Sequence, residues 1–326
     1  MRRRFLMASV ITAAALAISA CGTTEAAEPD PAATSAQPIS ITDGSGAAIT
    51  LPGPATKVVG TEWNVVENLI SLGVDPVGVT DVKGYNIWSS SVPLKNTPKD
   101  VGKRDEPSVD AIAALAPDLI LATTDLPAAA VKQMQKVAPV LVIKSADASR
   151  QIDQMLENLD LIAEATGTQK QATLVKSRFQ TKIANAKTAM QASGLKTLRV
   201  AFSDGWVESN QIGIRPYVKG SLIGDVTTEM GFTNAWTLKG DKDYGLASTD
   251  VEGLTKLKDI DYYYYLVNAG DGGDAFDAAL KKNAVWKSLP FVQREQVRRL
   301  PDGIWMFGGP ASMSNYIDAV MDTLGT

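Results

Sequence analysis

The sequence predicts an α/β chain with two lobes of alternating strands and helices, joined by one long helix. Residues 56–80, TKVVGTEWNVVENLISLGVDPVGVT, read as strand, helix and returning strand. Residues 107–121 and 128–143 each read as a helix, a proline stop and an uninterrupted apolar strand. A parallel sheet covered on both faces demands such strands. Residues 168–190 then run without Gly or Pro. A helix there, at 1.5 Å per residue, reaches roughly 30 Å, enough to cross from one lobe to another.

The first segment lies outside this fold. Residues 1–20, MRRRFLMASVITAAALAISA, place three arginines before a short run of small apolar residues. That is the pattern of an export signal, too short to be a comfortable permanent span. RRRFL also fits the twin-arginine export pattern. The run ends ISAC, and Cys21 is the only cysteine of the chain. A small-residue site followed at once by Cys resembles the lipobox of bacterial lipoproteins, so Cys21 is the expected lipidation site. The two acyl chains of a diacylglyceryl group contribute about 0.8 kcal/mol per buried methylene and hold firmly. Residues 21–38 therefore read as a lipidated Cys and a small, polar, Pro-bearing tether.

The N-terminal lobe is expected over residues 39–165. Val58 and Val59 form a short buried strand. The helix Trp63–Leu72 presents Val65, Val66, Leu69, Ile70 and Leu72 and stops at Gly73. In VGKRDEPSVDAIAALAPDLIL, Pro107 suits a helix start, Ser108 or Asp110 supplies the cap, Ile112 and Leu115 the apolar face, and Pro117 the stop. Ile152, Met155, Leu156, Leu159 and Ile162 recur at helical spacing until Gly167. Residues 166–193 are the connecting helix, and 194–326 the C-terminal lobe. That lobe opens on the strand TLRVAFS, continues with a helix near Gly220–Met230 and a strand at Tyr262–Val267, and closes on a helix over Ala311–Leu324. Tyr262 to Tyr265 read as core of that strand, since alternate residues face opposite sides. SVDAIAALAPDLIL is echoed by STDVEGLTKLKDIDYYYYLV, so Asp110 and Asp250 hold equivalent places in two lobes of Rossmann-like topology.

Composition narrows the function. Of 32 basic residues, Arg2, Arg3 and Arg4 lie in the export segment, which holds none of the 36 acidic ones. The remainder carries 29 basic against 36 acidic residues, a net −7. This lacks the basic footprint that nucleic acid requires. The chain has no histidine, which excludes Ser-His-Asp and Cys-His catalysis and any His-ligated metal or haem. Zinc and manganese receptors lean on histidine, so direct metal-ion capture is disfavoured. No paired acidic motif or phosphate loop supports a carboxylate hydrolase.

The order of lipobox, two lobes, a single long helix, VGKRDEPSVDAIAALAPDLIL, SLIGDVTTEMGFTNAW and NAVWKSLPFVQREQVRRLPDGIWMFGGP is similar to that of the iron-siderophore substrate-binding proteins of ABC importers, the ferrichrome, ferric-citrate and cobalamin-binding group. The resemblance covers essentially the whole chain past the signal. It implies a ligand cleft between lobes, limited hinge closure, and capture without catalysis. It also implies no cofactor and, as ligand, a ferric siderophore whose iron the chelate holds, with no metal ligand from the protein. A hydroxamate is the expected type, with ferric citrate, cobalamin or haem as alternatives. The implied partners are the permease in the membrane and, through Cys21, membrane lipid. The expected state is a lipid-anchored monomer on the outer face of the cytoplasmic membrane, of Gram-positive type, or on its periplasmic side in a Gram-negative cell.

The same resemblance assigns roles to residues. Arg104, in the VG-x-R turn, faces the cleft and hydrogen-bonds the iron-coordinating oxygens, a task suited to a planar, permanently charged fork. Arg215, expected in a loop before a helix, is the second arginine, with Tyr217 beside it as a stacking residue. Trp63, Trp206 and Trp305 sit at strand ends or before the last helix, where open α/β sheets bind ligands, and offer broad apolar rings to a chelate. Trp88 is a weaker loop candidate, and Trp236 and Trp286 are left to packing. Asp110 and Asp250 are the permease-docking residues, with Glu67 and Glu252 as alternates.

Overall fold

A computed structural model describes residues 37–194, 198–208, 211–257, 262–267 and 275–325. Cys21, the export segment and most of the tether lie outside the described residues, as do the Tyr262–Tyr265 side chains.

The chain enters through a hairpin, β1 (Ile39–Thr42) against β2 (Ala48–Leu51). Then follow β3 (Val58–Gly60), α1 (Trp63–Leu72), β4 (Gly78–Val79), α2 (Val82–Trp88), β5 (Lys99–Asp100), α3 (Val109–Ala114), β6 (Leu119–Thr123), α4 (Ala128–Met134) and β7 (Val140–Ile143). The five strands β3 to β7 form one parallel sheet in the order β5-β4-β3-β6-β7. Every residue of β3, β6 and β7 is buried. The strand period of two explains why. Leu119 and Leu121 of β6 meet α1 residues Val65 and Leu69 on one face, while Ile120 and Ala122 meet Ile112 and Met134 on the other. The uninterrupted apolar reading of these strands is thus a consequence of helices on both sides.

Two long helices come next, α5 (Gln151–Thr166) and α6 (Gln169–Ala192), separated by Gly167. At 24 residues α6 is about 36 Å long. Its buried face is a stripe of four residues spaced by seven, seven and four. Ala172 joins the core of the first sheet, whereas Phe179, Ala186 and Met190 join the core of the second. α6 is therefore part of both cores, and so is α5, whose Met155 joins the second core and whose Leu159 and Ile162 join the first; together they hold the lobes at a fixed spacing.

The second sheet is built from β8 (Arg199–Glu208), β9 (Gln211–Pro216), β10 (Thr233–Asn234), β11 (Tyr262–Val267) and β12 (Val297–Arg299). The order β10-β8-β11-β12 is parallel, and β9 runs antiparallel along β8. Its helices are α7 (Leu222–Glu229), α8 (Ala275–Lys282), α9 (Ala284–Ser288), α10 (Pro290–Gln293) and α11 (Pro310–Leu324). Trp236 and Trp286 lie in its core, as expected.

The structure corrects the local reading in three places. Arg215 is not in a loop but in β9, opposite Asp204 of β8. Trp206 does not follow the first strand; it lies within β8, because the hairpin with β9 carries β8 on to Glu208. Trp88 ends α2 rather than occupying a loop.

Candidate ligand-binding site

Arg104 stands where it does because of the turn before α3. Gly102 has φ +100°, and a Cβ there would meet the Ser108 amide at 2.9 Å. Only glycine fits this conformation without strain. Ser108 N–H donates to the Val101 carbonyl at 2.8 Å, closing a short loop that carries Lys103 and Arg104 outward from the β5 edge. The Ser108 hydroxyl then caps α3.

The guanidinium of Arg104 is fixed from two sides. Its Nε donates to Glu62 Oε2 at 2.8 Å, and its Cζ lies 4.1 Å above the Trp63 ring and 5.1 Å from Trp305. Cation–π contacts of this kind contribute about 0.5–2 kcal/mol. Glu62 is itself the N-cap of α1, its Oε1 accepting from the Trp63 amide. Burial pushes the Glu62 carboxyl above the ordinary carboxylate value, and Arg104 holds it back. Among the described residues no acceptor takes the two terminal nitrogens of Arg104, so its fork is available to a ligand.

Arg215 is built alike. Its Nε donates to Asp204 Oδ1 at 2.8 Å, and a terminal nitrogen bonds Oδ2 of the same carboxylate. The Tyr217 hydroxyl donates to Asp204 Oδ2 at 3.0 Å. The Arg215 Cζ lies 5.3 Å from the Phe307 ring. Tyr217 is 1% exposed, inside the core of the second lobe. It orients Asp204 and does not reach a ligand, which corrects its reading as a stacking residue.

Aromatic rings link the two arginines. Trp63 meets Trp305 at 4.9 Å, Trp305 meets Phe307 at 5.1 Å, and Phe307 meets Tyr244 at 5.4 Å, all edge to face. Trp88 adds to the far end, 6.2 Å from Trp305. Trp63 and Trp305 are only 3% and 8% exposed, so they form the bed beneath Arg104 rather than an open face. Trp206 differs. It is 45% exposed and lies over Gly213, on the side of the hairpin that also carries the Asp204–Arg215 pair.

A cavity of about 430 Å³ opens above Arg104, walled by Glu62, Asp81, Lys103, Asp105 and Asp125. Asp125 also receives the Tyr244 hydroxyl at 2.5 Å, a bond between the β6–α4 loop and the loop after β10. Burial, reinforced by Asp125, keeps that phenol protonated. A hollow of about 500 Å³ between α6 and α11 carries no aromatic ring and neither of the paired arginines.

Glu62, Asp204, Phe307 and Tyr244 were not singled out by the sequence. Glu62 carried a signal, since a carboxylate between a strand and a helix is a cap. Asp204 carried none until the register of β8 with β9 was known.

Asp110 and Asp250 are both exposed. Asp110 lies in the first turn of α3, behind the Ser108 cap. Asp250 is itself a cap, its Oδ1 accepting from Gly253 N–H at 2.8 Å ahead of a 3₁₀ turn at Glu252–Lys256. Their places are therefore offset by two residues. Glu252 is exposed; Glu67 is fully buried and unavailable to any docking partner.

A protein-family model described as periplasmic binding protein matches residues 58–303. The chain belongs to that family. As a periplasmic binding protein it holds a substrate rather than converting one. It is 23% identical over 270 residues to the iron(3+)-hydroxamate-binding protein FhuD of Escherichia coli, covering 82% of this chain and 87% of that one. It is 26% identical over 297 residues to the Fe(3+)-citrate-binding protein YfmC of Bacillus subtilis, covering 91% and 89%. Among solved structures, FhuD of Vibrio cholerae bound to Fe3+-Desferal superposes with a TM-score of 0.72 at 22% identity, covering 82% of this chain and 97% of that one. That likeness carries the two-lobe fold.

In this binding protein Glu67 ties the lobes together behind the aromatic floor. Its Oε2 accepts from Gly309 N–H at 2.9 Å and its Oε1 from the Ser312 hydroxyl at 2.6 Å, at the N-terminus of α11. The close approach requires FGGP, because a Cβ on Gly308 would meet Glu67 Oε2 at 2.3 Å and one on Gly309 would meet Asn68 Oδ1 at 2.4 Å. Burial pushes the Glu67 carboxyl up to about 7. The folded state thus holds a proton that the unfolded chain, near 4.5, releases. The resulting stability is full below 4.5 and lost as pH rises through 7, a difference of about 3 kcal/mol. Urea unfolding of Glu67→Gln against wild type is expected to show the variant gaining relative stability from pH 5 to pH 8. Parallel curves would mean that Glu67 is charged throughout.

Proposed function

We propose that this protein captures a ferric siderophore of hydroxamate type outside the cytoplasmic membrane and hands it to the permease of an ABC importer. The single observation that carries this reading is the pair of arginines, one from each lobe, joined by a floor of aromatic rings. Arg104 retains donors for the iron-bound oxygens of a chelate, and shielded charge-assisted bonds contribute about 1.5–3 kcal/mol each. Arg215 supplies a second cation from the facing lobe. Trp206, exposed beside it, offers apolar area to the chelate's methylene chains. The relatives named for ferric chelates support the same cargo.

Cys21 holds the receptor to the membrane through its lipid, and residues 22–38 give it reach. Asp110 and Asp250, exposed at two helix starts in different lobes, meet arginines of the permease. The Tyr244–Asp125 bond spans the same opening and yields to the entering ligand. Uptake of radioiron as ferrioxamine B by cells lacking the gene is expected to be restored by the wild-type chain. A Cys21→Ser chain is expected to restore little, because it is released from the surface. Uptake equal in cells with and without the protein would contradict the reading.

A further inference from the structure

The two cleft arginines do not act as naked charges. Arg104 is paired to Glu62 and Arg215 to Asp204. Around Arg104, Asp81, Asp105 and Asp125 add three carboxylates, against one further cation, Lys103. The cavity wall therefore carries more negative than positive groups, although Arg104 is one of its side chains.

We propose that Glu62 and Asp204 select the charge of the cargo, so that the cleft takes neutral or cationic ferric chelates and turns away anionic ones. The proposal rests on the reading of this site as a receptor for ferric chelates. The mechanism is geometric. Glu62 occupies the Nε edge of Arg104 and leaves its terminal donors, so oxygens of a chelate are hydrogen-bonded without meeting a net positive field. A neutral trishydroxamate exposes such oxygens with no charge to compensate, and a trishydroxamate with a free ammonium arm gains from the carboxylates around it. Ferric citrate and ferric tris-catecholate carry net negative charge and face those same carboxylates at short range, where screening by salt is weak. At the second lobe Asp204 takes both the Nε and one terminal nitrogen of Arg215 and so offsets its charge, and Tyr217 holds that carboxylate in place.

Glu62→Gln keeps an amide oxygen for the Arg104 Nε and removes the charge. The test is calorimetric titration of the soluble domain with cationic ferrioxamine B, neutral ferrichrome, anionic ferric citrate and a trianionic ferric tris-catecholate. Near-ultraviolet circular dichroism checks the fold of each variant. Wild type is expected to bind the first two more tightly than the last two. In Glu62→Gln the ratio of anionic to cationic affinity is expected to rise at least tenfold, graded with chelate charge. Asp204→Asn is expected to shift the ratio in the same direction. A ratio unchanged in folded Glu62→Gln, with hydroxamates bound, overturns charge selection and leaves the receptor reading intact. A wild type that favours the anionic chelates overturns it as well. A wild type that binds none of the four overturns the receptor reading and this proposal with it.

Discussion

Replacing Arg104 by alanine is expected to weaken binding of ferrioxamine B at least tenfold while the chain remains folded. The guanidinium lies 4.1 Å over Trp63, and among the described residues no acceptor takes its terminal nitrogens. Losing even one charge-assisted bond of about 1.5–3 kcal/mol accounts for a tenfold change or more. The substitution has a second consequence. It leaves Glu62 buried without its cation, and burial already pushes that carboxyl up. Glu62 then takes up a proton, and thermal stability of the single variant falls as pH rises. Combining Arg104→Ala with Glu62→Gln is expected to recover that stability without recovering affinity. Calorimetric titration and thermal unfolding of the three chains separate the two effects. Unchanged affinity in folded Arg104→Ala would remove Arg104 from the site.

Reversing Asp110 and Asp250 together to arginine is expected to reduce uptake to the level of cells without the protein and to leave chelate binding intact. Each side chain is exposed, and each marks the start of a short helix in its own lobe. Neither touches the arginine pairs or the aromatic floor. Asp110 contributes a first-turn charge, about 0.3–1 kcal/mol. Asp250 contributes a cap to Gly253, about 1 kcal/mol. Their loss is small against the stability of a two-lobed domain. Against a basic permease surface the same change turns two attractions into two repulsions, which cost affinity and association rate alike. Uptake at the wild-type level by the double variant would sink the docking assignment.

The parts of this structure that were legible in the sequence are those that depend on local pattern. The helix Trp63–Leu72 was bounded by its apolar period and by Gly73, and it forms over the same residues. The continuous apolar runs at 119–123 and 140–143 signalled a doubly covered sheet. The uninterrupted stretch after Gly167 signalled a helix able to join two cores. The entering hairpin also carried a signal, alternating Ile39, Ile41, Ile49 and Leu51 about a DGSG turn, and it went unread. What stayed hidden depends on partners remote in the chain. Arg104 and Glu62 meet across 42 positions, and Glu67 and Ser312 across 245. β9 contains Gly213 and Arg215 in a short run whose strand character comes from β8. Glu67 looked like a surface acid because no local rule foretells that Gly308 and Gly309 bring a helix terminus onto it.

On the proposed function, the two arginines and their aromatic floor are the receptor site for a ferric chelate. Trp63, Trp305, Trp88 and Trp206 surround that site, so their fluorescence reports on it directly. Titration of the soluble domain, starting after Cys21, with ferrioxamine B, ferrichrome, ferric citrate, haem and cobalamin is the most direct test. The predicted result is saturable, sub-micromolar quenching by a hydroxamate chelate. A folded protein whose fluorescence responds to none of these ligands would contradict the account and return both arginines to the role of structural ion pairs.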